Sequence, residues 1–172
     1  MVSLTQLMST VKNSPVSVGF VKARVPDNVD VVHYKQLKGK HRREVFKGKR
    51  AVVVLIPKKG SKMGHFVCLL PREKHIEYFS SLGGSWRTEL DKLHESSAIF
   101  EELLGSRWIY NKVKLQQNLY HINDCAAWVL ARCHLSKLKL REFVQLFSKR
   151  LTLNQSDDIV ALLTTLLFVD KK

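Results

Sequence analysis

Proline and glycine are scarce in this sequence, 4 and 8 residues in 172. That scarcity excludes a low-complexity chain or a flexible linker, and no internal repeat is present. A single domain spanning 1–172 is expected. Cysteine is scarcer still. Cys68, Cys125 and Cys133 are an odd number, which argues against a disulfide framework and for a reducing compartment. The Met1–Lys12 start lacks a basic stretch followed by an unbroken apolar run, so secretion is not expected. Apolar runs long enough to cross a bilayer are also missing, since Thr164 and Thr165 interrupt Ile159–Val169. No membrane partner is expected. The histidines and cysteines show no metal-ligand spacing, because Cys125 and Cys133 lack a Cys-x-x-Cys arrangement. Neither a metal nor another cofactor is expected. Gly83-Gly84 lacks the Lys-Ser/Thr of a phosphate-binding loop. Acidic residues are outnumbered, 15 against 29 Lys and Arg, for a formal net charge of +14. That excess predicts attraction to polyanions such as nucleic acid.

What is present is 45% hydrophobic, enough for a sizeable core. Leu4, Leu7, Met8 and Val11 follow helical spacing behind Ser3. Val16–Ala23 reads as a short strand. Arg50–Ile56 is continuous, β-branched and followed by Pro57, the pattern of a buried strand. His65–Leu70 and His75–Ser80 read as a β-hairpin about Pro71–Lys74. Trp86, Leu90 and Leu93 make one helical stripe. Ile99, Phe100, Leu103 and Leu104 make another, ended by Gly105. Arg107–Leu115 is a strand candidate. Asp124–His134 is apolar nearly all round and reads as a buried helix. Leu140, Phe143, Val144, Phe147 and Leu151 mark an amphipathic helix. Ser156 is placed as the cap of a last helix, with Asp157 and Asp158 in its first turn and a stripe of Ile159, Leu162, Leu163, Leu166 and Leu167. Strands in the middle with flanking helices predict an α+β fold.

Three segments carry chemistry. Cys125 falls where a helix should begin, with Asn123 or Asp124 as cap. A helix N-terminus and a nearby imidazolium both favour a thiolate. Cys68 and Cys133 read instead as small core residues. His65 opens a strand directly after Gly64. If Arg72 and Glu73 are the turn residues, Pro71 pairs with Lys74 and the register runs back until His65 faces Ser80. Opposed residues share a face, so Ser80 is the candidate to orient the His65 ring. Glu77 should point to the other face. Gln116 and Gln117 end a strand shortly before the thiol, where a side-chain amide could join the Cys125 backbone N–H as an oxyanion donor.

In this order, His then hairpin end then Gln then Asp-Cys, the sequence resembles the adenain-like maturation proteases of adenoviruses and their relatives in virophages, Polinton-type elements and other large DNA viruses. More distantly it is similar to the SUMO-type deconjugating proteases. The matching segments are Asn13–Pro26 (NSPVSVGFVKARVP), Val52–Phe66 (VVVLIPKKGSKMGHF), Tyr78–Gly83 (YFSSLG), Leu115–Cys125, Leu140–Phe147 and Asn154–Val160. The resemblance implies a papain-like cysteine protease core in circularly permuted order, His before Cys, built on a central, mainly antiparallel sheet. It implies His65 as base, Cys125 as nucleophile and Gln117 as oxyanion donor, with Gln116 as the alternative. Three positions depart from the family pattern. Ser80 stands where the family has an acid or Asn, Ala126 where it has Gly, and Phe66 where it has Trp. A hydroxyl orients an imidazole but carries no charge, so a Cys-His dyad is expected rather than a full triad.

The implied substrate is a capsid or core precursor protein cut next to small, Gly-type residues during virion maturation. The implied setting is intracellular, in a host nucleus or virus factory and in the virion, with the chain acting as a monomer. DNA is implied as an activator. The charge supports that point separately: Lys35, Lys38, Lys40, Arg42, Arg43, Lys47, Lys49 and Arg50 form a dense basic segment suited to sequence-independent phosphate contact. Two other functions fit the same residues. One is a non-catalytic, basic DNA-binding or capsid-associated descendant of the fold. The other is a protease that removes a ubiquitin-like modifier.

Overall fold

The structure is a computed structural model, and it describes residues 16–60, 64–117, 124–149 and 151–169. The expected helix over the first dozen residues and the cap candidate Asn123 lie outside these. Five strands form one sheet in chain order: β1 (Val29–His33), β2 (Ala51–Pro57), β3 (Gly64–Pro71), β4 (Ile76–Phe79) and β5 (Trp108–Tyr110). The β2–β3 and β3–β4 pairs are antiparallel, whereas β1–β2 and β4–β5 are parallel. The expected mainly antiparallel sheet is therefore mixed: antiparallel at its centre and parallel at both edges. The parallel edges arise because helical segments, not tight turns, connect those strands.

Helices cover both faces, which explains the unbroken apolar run of β2. On one face Val53, Cys68, Leu70 and Phe79 meet helix α5 (Cys125–His134) and helix α6 (Leu140–Ser148) through Trp128, Leu130, Cys133 and Phe143. On the other, Val52, Val54, Val67, Leu69 and Tyr78 meet helix α3 (Trp86–Leu93) and helix α4 (Ala98–Leu104) through Trp86, Leu90, Phe100 and Leu103. The α+β class is as expected, and α5 is buried along its length from Cys125 to Cys133.

Four local expectations change. Residues 16–23 hold a helix, α1 (Val18–Lys22), because the Ser17 hydroxyl caps it by accepting the Phe20 N–H at 3.1 Å. The strand expected over Arg107–Leu115 stops at Tyr110, where Asn111 turns the chain toward the end of β4. The last helix, α7 (Leu153–Val169), begins before Ser156, whose hydroxyl donates to the carbonyls of Phe147 and Thr152 from inside it. Its buried face is Asp157, Val160, Ala161, Thr164 and Thr165, while Ile159, Leu163 and Leu166 are exposed. The threonine hydroxyls tolerate burial by donating to the carbonyls of Val160 and Ala161 at 2.9 and 2.8 Å. No helix among the described residues is long and apolar enough to cross a membrane.

Candidate functional site

The hairpin places the histidine. Pro71 pairs with Ile76 and Cys68 with Phe79, so the register lies two residues from the expected one. The turn is longer, closed by the Arg72 N–H on the His75 carbonyl at 2.9 Å. The expected direct opposition of His65 and Ser80 is thus wrong, yet a shift of two preserves side-chain parity. His65 and Ser80 still share a face, and His65 Nε2 lies 3.0 Å from Ser80 Oγ. Glu77 points the other way, as expected, onto Arg132 of α5. Gly64 is required where β3 begins, since a Cβ there would stand 2.6 Å from the Ile56 carbonyl oxygen.

Cys125 is the first residue of α5, and Asp124 occupies the N-cap position, its carbonyl accepting the Trp128 N–H at 2.9 Å. The thiol therefore sits at a positive helix end, beside backbone N–H groups with no intrahelical partner. His65 and Cys125 are each only 7% exposed. Burial pushes the imidazole pKa down, but a hydrogen bond to Cys125, the charge of Cys125 and the charge of Glu89 outweigh it and raise the value above 6.5. The two residues singled out from sequence thus act on one another electrostatically.

Ser80 has more partners than the sequence indicates. Its hydroxyl donates to Glu89 Oε1 on α3 and accepts the Leu82 N–H at 3.2 Å. A hydroxyl has one proton and two lone pairs. With its proton on Glu89, Ser80 must accept from His65 Nε2–H. The neutral ring then carries its proton on Nε2 and keeps Nδ1 as its basic nitrogen. Asn111 fixes the Ser80 backbone on both sides: its Oδ1 accepts the Ser80 N–H at 3.1 Å, and its Nδ2 donates to the Ser80 carbonyl at 2.6 Å.

Glu89 is not among the residues that the sequence motifs single out, yet a signal for it exists. It lies three residues after Trp86 on the apolar stripe of α3, where a carboxylate is out of place. It is 3% exposed, accepts the Tyr78 hydroxyl at 2.5 Å on Oε2, and its Oε2 lies 3.6 Å from His65 Nε2.

The glutamine segment is tied to the same corner. The N–H groups of Leu115 and Gln116 donate to the Ser81 carbonyl at 2.8 and 3.1 Å, and the Ser81 hydroxyl donates to Gln116 Oε1 at 2.6 Å. Gly83, at φ +72°, lets this turn approach the 113–114 backbone; a Cβ there would lie 2.6 Å from the Val113 carbonyl carbon. The Gln117 N–H donates to Asp157 Oδ2 at 3.0 Å, and the other oxygen of Asp157 accepts Trp128 Nε1–H at 2.8 Å. Asp157 thereby links the glutamine segment to the helix that carries the thiol. Its place near a helix start gives no sign of that role in the sequence.

Cys68 and Cys133 are fully buried with sulfurs 3.4 Å apart, and burial pushes the Cys68 thiol well above its ordinary range. They are core residues. Among the described residues, no group of three or more His, Cys, Asp or Glu is arranged to hold a metal ion.

The basic segment lies on the chain between β1 and β2 and includes the short helix α2 (Arg42–Val45). Lys38, Lys40, Arg43 and Lys47 are exposed, and so is Lys35, which lies 3.6 Å from Glu95. The other three have structural partners. Arg42 donates to the terminal carbonyls of α4 at Leu103 and Leu104. Lys49 pairs with Asp30 at 2.8 Å, and Arg50 donates to the Ser136 hydroxyl at 3.2 Å.

No protein-family model matches the chain, and no curated protein is significantly similar to it in sequence. Among solved structures it is similar to the SUMO protease Ulp1. With the catalytic cysteine of that enzyme oxidised to a sulfinic acid, the match has 13% identity and a TM-score of 0.38, over 96% of this chain and 76% of that one. With the C-terminal Ulp1 protease domain in complex with Smt3, the yeast orthologue of SUMO, it has 14% identity and a TM-score of 0.39, again over 96% and 76%.

Proposed function

We propose that this protein is a cysteine endopeptidase. The single observation that carries the reading is a buried His65 imidazole held at Nε2 by the Ser80 hydroxyl, itself bonded to Glu89, with its pKa raised by the helix-terminal Cys125. His65 accepts the thiol proton, and Cys125 Sγ attacks the peptide carbonyl carbon. The resulting oxyanion is held by the Cys125 backbone N–H and a side-chain amide, with Gln117 as the proposed donor and Gln116 as its alternative. His65 returns the proton to the leaving amine, leaving a thioester. Water, deprotonated by His65, then releases the acid and restores the thiol.

The adenain-like segments support a narrower reading: cleavage of capsid or core precursors beside Gly-type residues. The exposed Lys38, Lys40, Arg43 and Lys47 support sequence-independent contact with DNA. The test is cleavage of Gly-containing peptides and precursor proteins by the purified protein. We expect Cys125→Ala and His65→Ala each to lower turnover at least about a thousandfold. Cutting confined to Gly-Gly-terminated modifier conjugates would move the substrate to a ubiquitin-like protein. Cleavage that survives Cys125→Ala would contradict the assignment.

A further inference from the structure

We infer that Glu89 is the acid of this site, carried on helix α3 instead of at the hairpin end and coupled to His65 through the Ser80 hydroxyl. The inference deepens the cysteine-protease reading and rests on it.

A continuous donor chain runs from His65 Nε2–H to Ser80 Oγ, and from Ser80 O–H to Glu89 Oε1. Each member is buried: His65 is 7% exposed, Ser80 0% and Glu89 3%. The carboxylate also acts directly, since its Oε2 lies 3.6 Å from His65 Nε2, within reach of an ion pair. Among the described residues, Glu89 forms an ion pair with His65 and with no Lys or Arg. A buried carboxylate without a cation of its own is costly. Here it is retained where the cation it favours is the imidazolium that thiolate formation creates.

The surroundings hold Glu89 in this pose. The Tyr78 hydroxyl donates to Oε2. Gly84 leaves room for the side chain, because a Cβ at 84 would lie 2.9 Å from Oε1 and 3.0 Å from Cγ. The groups facing His65 are Cys125 from α5, Ser80 from the turn after β4 and Glu89 from α3. Tyr78 of β4 stands behind Glu89. A serine at the hairpin end is too short and uncharged to favour the imidazolium alone. A glutamate one helix away supplies the charge, and the serine bridges the gap. Glu89 is accordingly a positioning residue, acting on the thiol only through His65.

The test is the titration of His65, followed by NMR of histidine-labelled protein, together with the iodoacetamide alkylation rate of Cys125 at neutral pH. Neither readout requires a known substrate. Glu89→Gln keeps shape and removes charge. It is expected to lower the His65 titration midpoint and to slow alkylation at least about tenfold. Ser80→Ala breaks the bridge and is expected to change both in the same direction. The double variant Ser80→Asp with Glu89→Gln, which puts a carboxylate at the hairpin end, is expected to recover both. A purely structural Glu89 would lower the unfolding midpoint and leave His65 titration and alkylation unmoved in the folded fraction; that result would overturn the inference alone. A wild-type Cys125 that alkylates no faster than the unfolded chain would overturn the protease reading and this inference with it.

Discussion

At the residue scale, two buried acids do different work. Glu89 faces the imidazole, whereas Glu77 accepts from Arg132 Nε at 2.7 Å and from Arg72 Nη2 at 2.9 Å. Both arginines also donate to the Leu138 carbonyl, so Glu77 anchors the α5–α6 connection to the sheet. Truncating one partner strands the others in a dry site. Glu77→Ala is expected to cost about 3–5 kcal/mol in urea unfolding. A cost near that of an exposed pair, below about 1 kcal/mol, would show that the cluster is solvated. His65 gives a signed pH dependence. Its pKa in the fold lies above the ordinary 6.5, so the protonated ring favours the folded state. That stabilisation is complete below about pH 6.5 and is lost as pH rises through the folded-state value. The stability difference between wild type and His65→Gln should therefore shrink as pH rises above that point. A difference that grows with pH would contradict the imidazolium assignment. His65 and Cys125 stand out in the sequence because each sits at or next to the start of a regular element. Glu89 does not, because its meaning depends on α3 docking over the end of β4, an arrangement that helical spacing alone does not encode.

At the element scale, the hairpin shows what parity secures and what it does not. The expected turn is two residues too short, yet His65 and Ser80 keep a common face. An odd error would have separated them. The rotation of α7 is not legible from its apolar stripe, since Ile159, Leu163 and Leu166 of that stripe face outward. Its orientation is set by polar contacts: Asp157 reaches inward to Gln117 and Trp128 and carries Thr164 and Thr165 with it. Asp157→Asn retains one acceptor oxygen and replaces the other with a donor. It should leave α5 folded while loosening the glutamine segment, with kcat falling about tenfold and the His65 titration unchanged. A kcat equal to wild type would mean that Asp157 serves stability alone.

At the scale of the whole molecule, the basic segment and the proposed site occupy different parts of the chain. The basic segment joins β1 to β2, while the thiol, imidazole and acid come from α5, β3 and α3. The formal charge of +14 is plain from composition, but composition does not show that Arg42 caps α4 or that Lys49 pairs with Asp30. If the exposed cations bind phosphates, replacing Lys38, Lys40, Arg43 and Lys47 with Ala should weaken duplex DNA retention. It should also flatten the salt dependence by about 0.9 in log–log slope for each phosphate that is no longer neutralised. An unchanged slope would place any DNA-binding surface elsewhere. The same three-layer packing buries Cys68 and Cys133 completely and leaves Cys125 at a helix end. Sulfur chemistry in the folded protein should therefore be confined to one position. The most direct measurement is the rate of iodoacetamide alkylation at each cysteine, mapped by mass spectrometry at neutral pH in the native protein, in His65→Ala and in the unfolded chain. The account predicts that native Cys125 reacts faster than the unfolded thiol, that His65→Ala removes the advantage, and that Cys68 and Cys133 stay unmodified until unfolding. A native Cys125 that reacts no faster than the unfolded thiol, and is indifferent to His65, would contradict it.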